Sequence, residues 1–470
     1  MIKRGFRAGF WRRAGLCLAG PGMVLCAGMG AQAQYGTASL PDAPASLATL
    51  AANAPDPPQP TRSIRPNELP GRLPDKPSLA PVFTFPVEPL GFSAPGALYL
   101  GQRNSLVSLD FLDENSLLFS FRVPGLIRRE GVDSDGNEER QIRALVLALP
   151  SGAVTAEALW TVHDRARYLW MLKDGHFLLR DRDSLERGDA TLQLKPFLRF
   201  PGPLVWLEMD PEHKFLVADS REPAEEAAQT GVTPSPETTS ADIEAGGQKQ
   251  AFAPPEMAVR ILSRETGKVM LMSRIHSTVH LPINSDGYLE SLRGRGAGWL
   301  LNLKYFSGGS TILGQVDSSC SPQLDFLSTR EVLVTGCSST GDGRLSALAT
   351  NGRHLWEDRT SDRTVWPLLV MGPDGLRLAR EALAVGRAVS ARAPLDRDEI
   401  KGQLVQVLDA ADGKVALETT ASPILDAGGN VAISPSGRRV AVLNAGAIQV
   451  FELPAPPPLP LPDSASKPLQ

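Results

Sequence analysis

The chain has 470 residues, 42% of them apolar and 21% charged, with a formal net charge of −4, which is the balance of a globular protein and excludes a largely disordered chain. No apolar run long enough for a bilayer follows the N-terminus, which excludes an internal membrane helix. Its charge is acidic overall, and phosphate neutralisation needs clustered Lys and Arg, which argues against a nucleic-acid partner.

Residues 1–33 read as an export signal. Lys3, Arg4, Arg7, Arg12 and Arg13 form a basic start, residues 14–30 are uncharged and mostly apolar, and Ala31-Gln32-Ala33 offers the small residues that signal cleavage needs. A membrane anchor, a lipoprotein built on Cys26 and twin-arginine export through Arg12-Arg13 are the alternatives. Glycines and Pro21 interrupt the first, and Leu25 stands where the second wants a small residue. Removal of the signal leaves a mature charge of about −9. Residues 34–80 are rich in Pro, Ala and Ser without apolar periodicity, and read as a disordered or extended linker.

From residue 81 to 453 alternating apolar runs break at short polar turns and resume. Seven such turns lie at 113–116, 173–176, 210–214, 284–288, 328–331, 373–376 and 435–438. The shorter steps between them set a period of about 40 residues, and four short strands per such unit is the signature of a β-propeller. A second turn in each unit carries glycine, as in Pro150-Ser151-Gly152, Thr266-Gly267-Lys268, Asn351-Gly352-Arg353 and Asp412-Gly413-Lys414, because tight turns require positive φ. The longer steps contain polar inserts at 125–141, 222–256 and 386–402, read as loops leaving the blades, the acidic middle one as disordered.

The last unit has only three strands before proline ends it, one short of a blade. The expected fold is therefore an all-β, seven-bladed propeller, with six or eight blades as alternatives. It is expected to close by pairing Ala97–Gly101 with Ala447–Leu453, which removes an exposed edge. Cys320 and Cys337 flank the hairpin around residues 328–329; a turn centred there makes them direct cross-strand partners, and a disulfide is expected, with two free thiols at a strand mouth as the alternative if the turn shifts by one residue. Residues 454–470 are proline-rich and expected to be an extended tail.

The runs Val405-Gln406-Val407-Leu408-Asp409-Ala410-Ala411-Asp412-Gly413-Lys414 and Leu345 to Trp356 resemble the repeat of quinoprotein-like (YVTN-type) propellers. Gly372-Pro373-Asp374-Gly375 and Ser434-Pro435-Ser436-Gly437 resemble the turns of bacterial WD40-like propellers. The resemblance spans roughly residues 97–453 and implies a scaffold rather than an activity. Quinoprotein dehydrogenases of that group carry adjacent cysteines at a quinone held with calcium. No adjacent pair is present, and only Trp160 and Trp356 match the tryptophan positions, so no cofactor is expected.

No local catalytic signature is present: there is no G-x-S-x-G, P-loop, H-E-x-x-H or C-x-x-C. His276 and His280 are four apart, but on a strand that places them ~13 Å apart, too far for one ion. Asp133, Asp135 and Gly136 lack the partners of a calcium loop, and no metal site is expected. The candidate binding residues stand at two blade junctions: His163, Arg165 and Arg167 (beside Asp164) at one, Arg359 and Arg363 (beside Asp362) at the other. Converging arginines hold carboxylate or sulfate groups; the same residues also pair to lock blades in register.

The function expected is that of an exported, monomeric, non-catalytic propeller, periplasmic or extracellular, binding a protein or an envelope polymer. The alternatives are a hydrolase, lyase or lactonase with residues scattered around the channel mouth and, behind it, a quinone-dependent oxidoreductase.

Overall fold

The structure, a computed structural model, describes residues 73–94, 107–123, 139–163, 167–222, 256–275, 278–294, 298–337, 343–359, 364–386, 399–425 and 428–457. The export signal, most of the linker, most of each of the three inserts, Ala97–Gly101, Asp133, Asp135, Gly136, Arg165, His276, Arg363 and most of the tail lie outside them.

Strand β1 (Phe83–Pro86) comes first and stands apart from the sheet that follows it in sequence. Blade 1 is β2 (Val107–Asp113), β3 (Ser116–Arg122), β4 (Arg140–Ala148) and β5 (Ala153–Val162). Blade 2 is β6 (Leu169–Met171), β7 (Phe177–Asp181), β8 (Ser184–Gly188) and β9 (Lys195–Arg199). Blade 3 is β10 (Leu204–Met209), β11 (Phe215–Glu222), β12 (Glu256–Ser263) and β13 (Val269–Ile275). Blade 4 has three strands, β14 (Gly287–Arg293), β15 (Gly298–Tyr305) and β16 (Ser310–Asp317). Blade 5 is β17 (Gln323–Ser328), β18 (Glu331–Cys337), β19 (Gly343–Ala349) and β20 (His354–Arg359). Blade 6 is β21 (Thr364–Met371), β22 (Arg377–Val385), β23 (Ile400–Asp409) and β24 (Val415–Ala421). Blade 7 contains β25 (Val431–Ile433), β26 (Arg439–Asn444) and β27 (Ala447–Glu452), and its sheet order is β1-β27-β26-β25.

All pairings are antiparallel and, apart from β1 with β27, join successive strands, and the seven expected turns join the first to the second strand of each unit. In blade 4 the first strand is reduced to one bridge, Ile283 to Tyr288. Asn284 organises that turn, its Oδ1 accepting the backbone N–H groups of Asp286 and Gly287 at 2.9 Å.

Alternation within each strand explains the ring. In β3, Leu117 and Phe119 point toward blade 7 while Leu118 points toward blade 2, because successive side chains leave a strand on opposite faces. Seven buried apolar clusters result, one at each junction from blades 7–1 round to 6–7. The 3–4 junction is the thinnest, with only Val217, Val259, Ile261 and Ile283 fully buried among the described residues. The first strands of neighbouring blades approach one another, as β2 does with β6 and β25, so these inner strands line the central channel.

Closure by an N-terminal strand is confirmed, but its residues differ from the expectation. Phe83, Thr84, Phe85 and Pro86 pair with Val450, Gln449, Ile448 and Ala447. The Phe83-Thr84-Phe85 alternation supplies one buried ring to the cluster with Ile448 and Val450. The linker also ends earlier than expected: Ser78 exchanges hydrogen bonds with Glu418 of β24 at 2.8 Å, and Leu79 packs against the 6–7 cluster.

Glycine in the second turns serves packing as well as φ. A Cβ at Gly413 would lie 2.6 Å from the Trp356 ring, and one at Gly152 would lie 2.8 Å from Phe85. In each case the outer strand of one blade presses a large side chain onto the next blade's turn. Trp356 adds an indole N–H bond to the Ala410 carbonyl at 2.6 Å, and Trp160 donates to the Leu192 carbonyl at 3.4 Å.

Cys320 and Cys337 are bonded, with Cα atoms 5.5 Å apart. The strand register is one residue away from the expected one, pairing Gln323 with Thr335 and Phe326 with Val332. Cys320 precedes β17 and is free of its ladder, and the Ser318 hydroxyl brings the cysteines together, accepting the Cys337 N–H at 3.0 Å and donating to the Cys320 carbonyl at 2.7 Å.

Candidate functional site

Carboxylates stand on the inner strands of alternate blades: Asp110 on β2, Glu208 on β10 and Asp325 on β17. Each lies two or three residues before its blade's first turn, so the repeat carries them to the channel wall. Glu208 shares a sheet face with Trp206, two residues away, and with Asp219, since Glu208 pairs with Val217. The Trp206 indole donates to Glu208 Oε2 at 3.4 Å.

His280 enters from the segment just before the reduced first strand of blade 4. Its Nδ1 lies 3.0 Å from Glu208 Oε2, and its Nε2 lies 3.2 Å from Asp325 Oδ1 and 2.8 Å from the Leu324 carbonyl. Trp206 meets the imidazole edge-on at 6.1 Å between ring centres. Burial works against the imidazolium, but the charges of Glu208 and Asp325 outweigh it and the pKa is pushed up to about 11. Burial raises Asp325, with its hydrogen bond to His280 opposing. Asp219 is fully buried and raised to about 6 by burial, although its Oδ2 accepts the Val279 N–H at 3.0 Å.

A second group stands between blades 1 and 2. Asp110 is raised to about 6 by burial, against the Ser108 hydroxyl, which donates to it at 2.6 Å, and the charge of Arg167. Arg167 keeps solvent contact, yet the surrounding wall still lowers its pKa through burial, against Asp110. Its Nε donates to the Leu169 carbonyl at 3.0 Å and its guanidinium lies 5.2 Å from the Trp170 ring centre. The Tyr168 hydroxyl, 2.7 Å from that of Ser120, is raised first by burial.

Of the expected binding residues, His163 contacts Asp181 at 3.0 Å and Glu139 at 3.9 Å, a pairing that ties blade 1 to blade 2. Arg167 faces Asp110, and Arg359 is half exposed with its Nε 3.6 Å from Glu357. Among the described residues no contact joins Arg359 to His163 or Arg167. The sequence offers His280 only His276 as a neighbour, too far along a strand to share an ion, because its actual partners are remote: Glu208 is 72 positions before it and Asp325 is 45 after it. The available signal was a carboxylate interrupting an otherwise apolar inner strand, as in Val205-Trp206-Leu207-Glu208-Met209.

No protein-family model and no curated protein matches the chain. Among solved structures it is similar to the acylaminoacyl peptidase of Pyrococcus horikoshii, at 12% identity and a TM-score of 0.41 over 72% of this chain and 48% of that one. It is also similar to the β-propeller domain of the Trilobed protease from Pyrococcus furiosus, at 11% identity and 0.39 over 74% and 94%. A third likeness is to a chain of the Mitotic Checkpoint Complex, at 9% and 0.40 over 81% and 98%. The chain thus spans about half the length of the peptidase. The likenesses concern fold alone, and seven antiparallel sheets packed in sequence around a ring make this chain a seven-bladed β-propeller.

Proposed function

We propose that the protein is an exported, non-catalytic propeller that binds a partner protein by strand addition to the outer edge of blade 3. The observation that carries this reading is β13, where Val269, Met270, Leu271 and Met272 are 44%, 56%, 44% and 46% exposed in unbroken succession. β13 is last in its sheet, so one row of its backbone N–H and C=O groups is open as a template for another strand. Exposed Lys268 at its start, with Lys195 and Arg199 on β9, favours an extended apolar segment flanked by acidic residues. The Cys320–Cys337 bond suits an oxidising, exported setting.

The reading is tested by crosslinking pull-downs from native envelope with wild-type protein and a Met270→Glu/Met272→Glu variant. A partner crosslinked at residues 269–275, lost in the variant at unchanged Tm, is expected. Equal capture by both proteins overturns it, and a dimer abolished by the same substitutions reassigns the edge to a second copy.

The carboxylates around His280 favour a hydrolytic site as the second reading. Against it, an imidazole that keeps its proton to about pH 11 neither accepts nor gives one efficiently at neutral pH.

A further inference from the structure

We propose that Glu208, His280 and Asp325 form a binding site for a divalent transition-metal ion of the Zn²⁺ class, backed by Asp219. One ligand atom from each of the three residues lies within 4.8 Å of the others. Glu208 Oε2 lies 3.0 Å from His280 Nδ1, near the ~3.4 Å between neighbouring ligands that bind one ion tetrahedrally at about 2.1 Å, while Asp325, whose Oδ1 is 3.2 Å from the ring's other nitrogen, completes the set within the 4.8 Å span.

Three further observations point to a cation. First, the Nε2–H of His280 donates to the Leu324 carbonyl at 2.8 Å, which orients the ring and leaves Nδ1 toward Glu208. That atom is buried and makes no hydrogen bond, its contact with Glu208 lacking hydrogen-bond geometry. A backbone carbonyl holding the far nitrogen is how metal-ligating histidines are commonly set. Second, Asp219 is wholly buried on the sheet face that carries Glu208, its charge acts with those of Glu208 and His280, and its Oδ1 has no hydrogen-bond partner. Third, three carboxylates meet one imidazole, so the cluster is short of positive charge even with His280 protonated.

The donor set of one imidazole nitrogen and carboxylate oxygens suits Zn²⁺ or Mn²⁺ better than Ca²⁺, which prefers oxygen alone. The ion takes the position of the Nδ1 proton, which leaves to solvent. Its ligands come from blades 3, 4 and 5, so binding pins the 3–4 junction, where the apolar core is thinnest.

The test uses the full chain after dialysis against a chelator, titrated with Zn²⁺ by calorimetry and melted with and without it. One equivalent per chain and a higher Tm with Zn²⁺ are expected. Glu208→Gln and Asp325→Asn should each weaken Kd at least tenfold and remove the Tm gain, Asp219→Asn should weaken it severalfold, and Glu290→Gln on blade 4 should change neither. Should one ligand variant fail to fold, the other decides. Absence of stoichiometric binding, binding insensitive to these substitutions, or tighter binding of Ca²⁺ than of Zn²⁺ overturns the proposal.

Discussion

Replacing Phe85 by alanine tests ring closure directly. Its side chain is 8% exposed, pairs across from Ile448, packs in the cluster with Val450 and presses on the turn at Gly152. Truncation of a buried Phe costs about 3–5 kcal/mol, a large share of the ~5–15 kcal/mol that holds a typical native protein. At about 2 °C per kcal/mol for a large domain, Tm should fall by roughly 6–10 °C. Thr84, its neighbour on β1, is exposed and faces the other way, so Thr84→Ala should cost less than about 0.5 kcal/mol. Urea unfolding and thermal melts of the two variants, each in a background with intact disulfide, measure both. Equal effects, or a Phe85→Ala loss below about 1 kcal/mol, would mean that β1 is not the closing strand, since a buried ring at the seam cannot be removed without leaving a cavity.

Two further outcomes follow from buried chemistry. Glu381 on β22 is 1% exposed, burial raises its pKa to about 8, and Gln403 donates to its Oε2 at 2.9 Å. Because the folded protein holds this proton above the unfolded value, wild-type stability declines from about pH 4.5 and levels off above pH 8. Glu381→Gln should therefore gain on wild type over that window, by on the order of 5 kcal/mol at most; a constant difference between pH 5 and 8.5 in urea midpoints would refute the assignment. Reduction of the Cys320–Cys337 bond, which closes a 17-residue separation, should cost about 3 kcal/mol. Melts with and without dithiothreitol measure it, and an unchanged Tm would contradict the cross-link's role.

The parts legible in the sequence are those set by local chemistry. The turn at 373–376 is an example, with Pro373 setting φ, Asp374 Oδ1 accepting the Leu376 N–H at 3.0 Å and Gly375 at φ 72°. The closing strand was less legible because β1 is four residues long and its alternation amounts to Phe83 and Phe85; nothing local says that their partners lie more than 350 positions away. The disulfide was legible, yet its register argument failed by one residue because Cys320 lies outside the ladder it was assumed to follow. The candidate site was the least legible. Glu208, Asp219, His280 and Asp325 each look like an ordinary polar residue in or beside a strand, and only the ring brings blades 3, 4 and 5 together.

From its own residues the chain determined the strand period, the turns, the seven units and the missing strand of the last, because periodicity and turn stereochemistry act over a few residues. Tertiary structure decided which N-terminal segment closes the ring, which junction is left with a thin apolar core, and which side chains meet in the channel. Those outcomes depend on contacts between residues tens to hundreds of positions apart, where a carboxylate's neighbours, rather than its identity, set its charge and its chemistry.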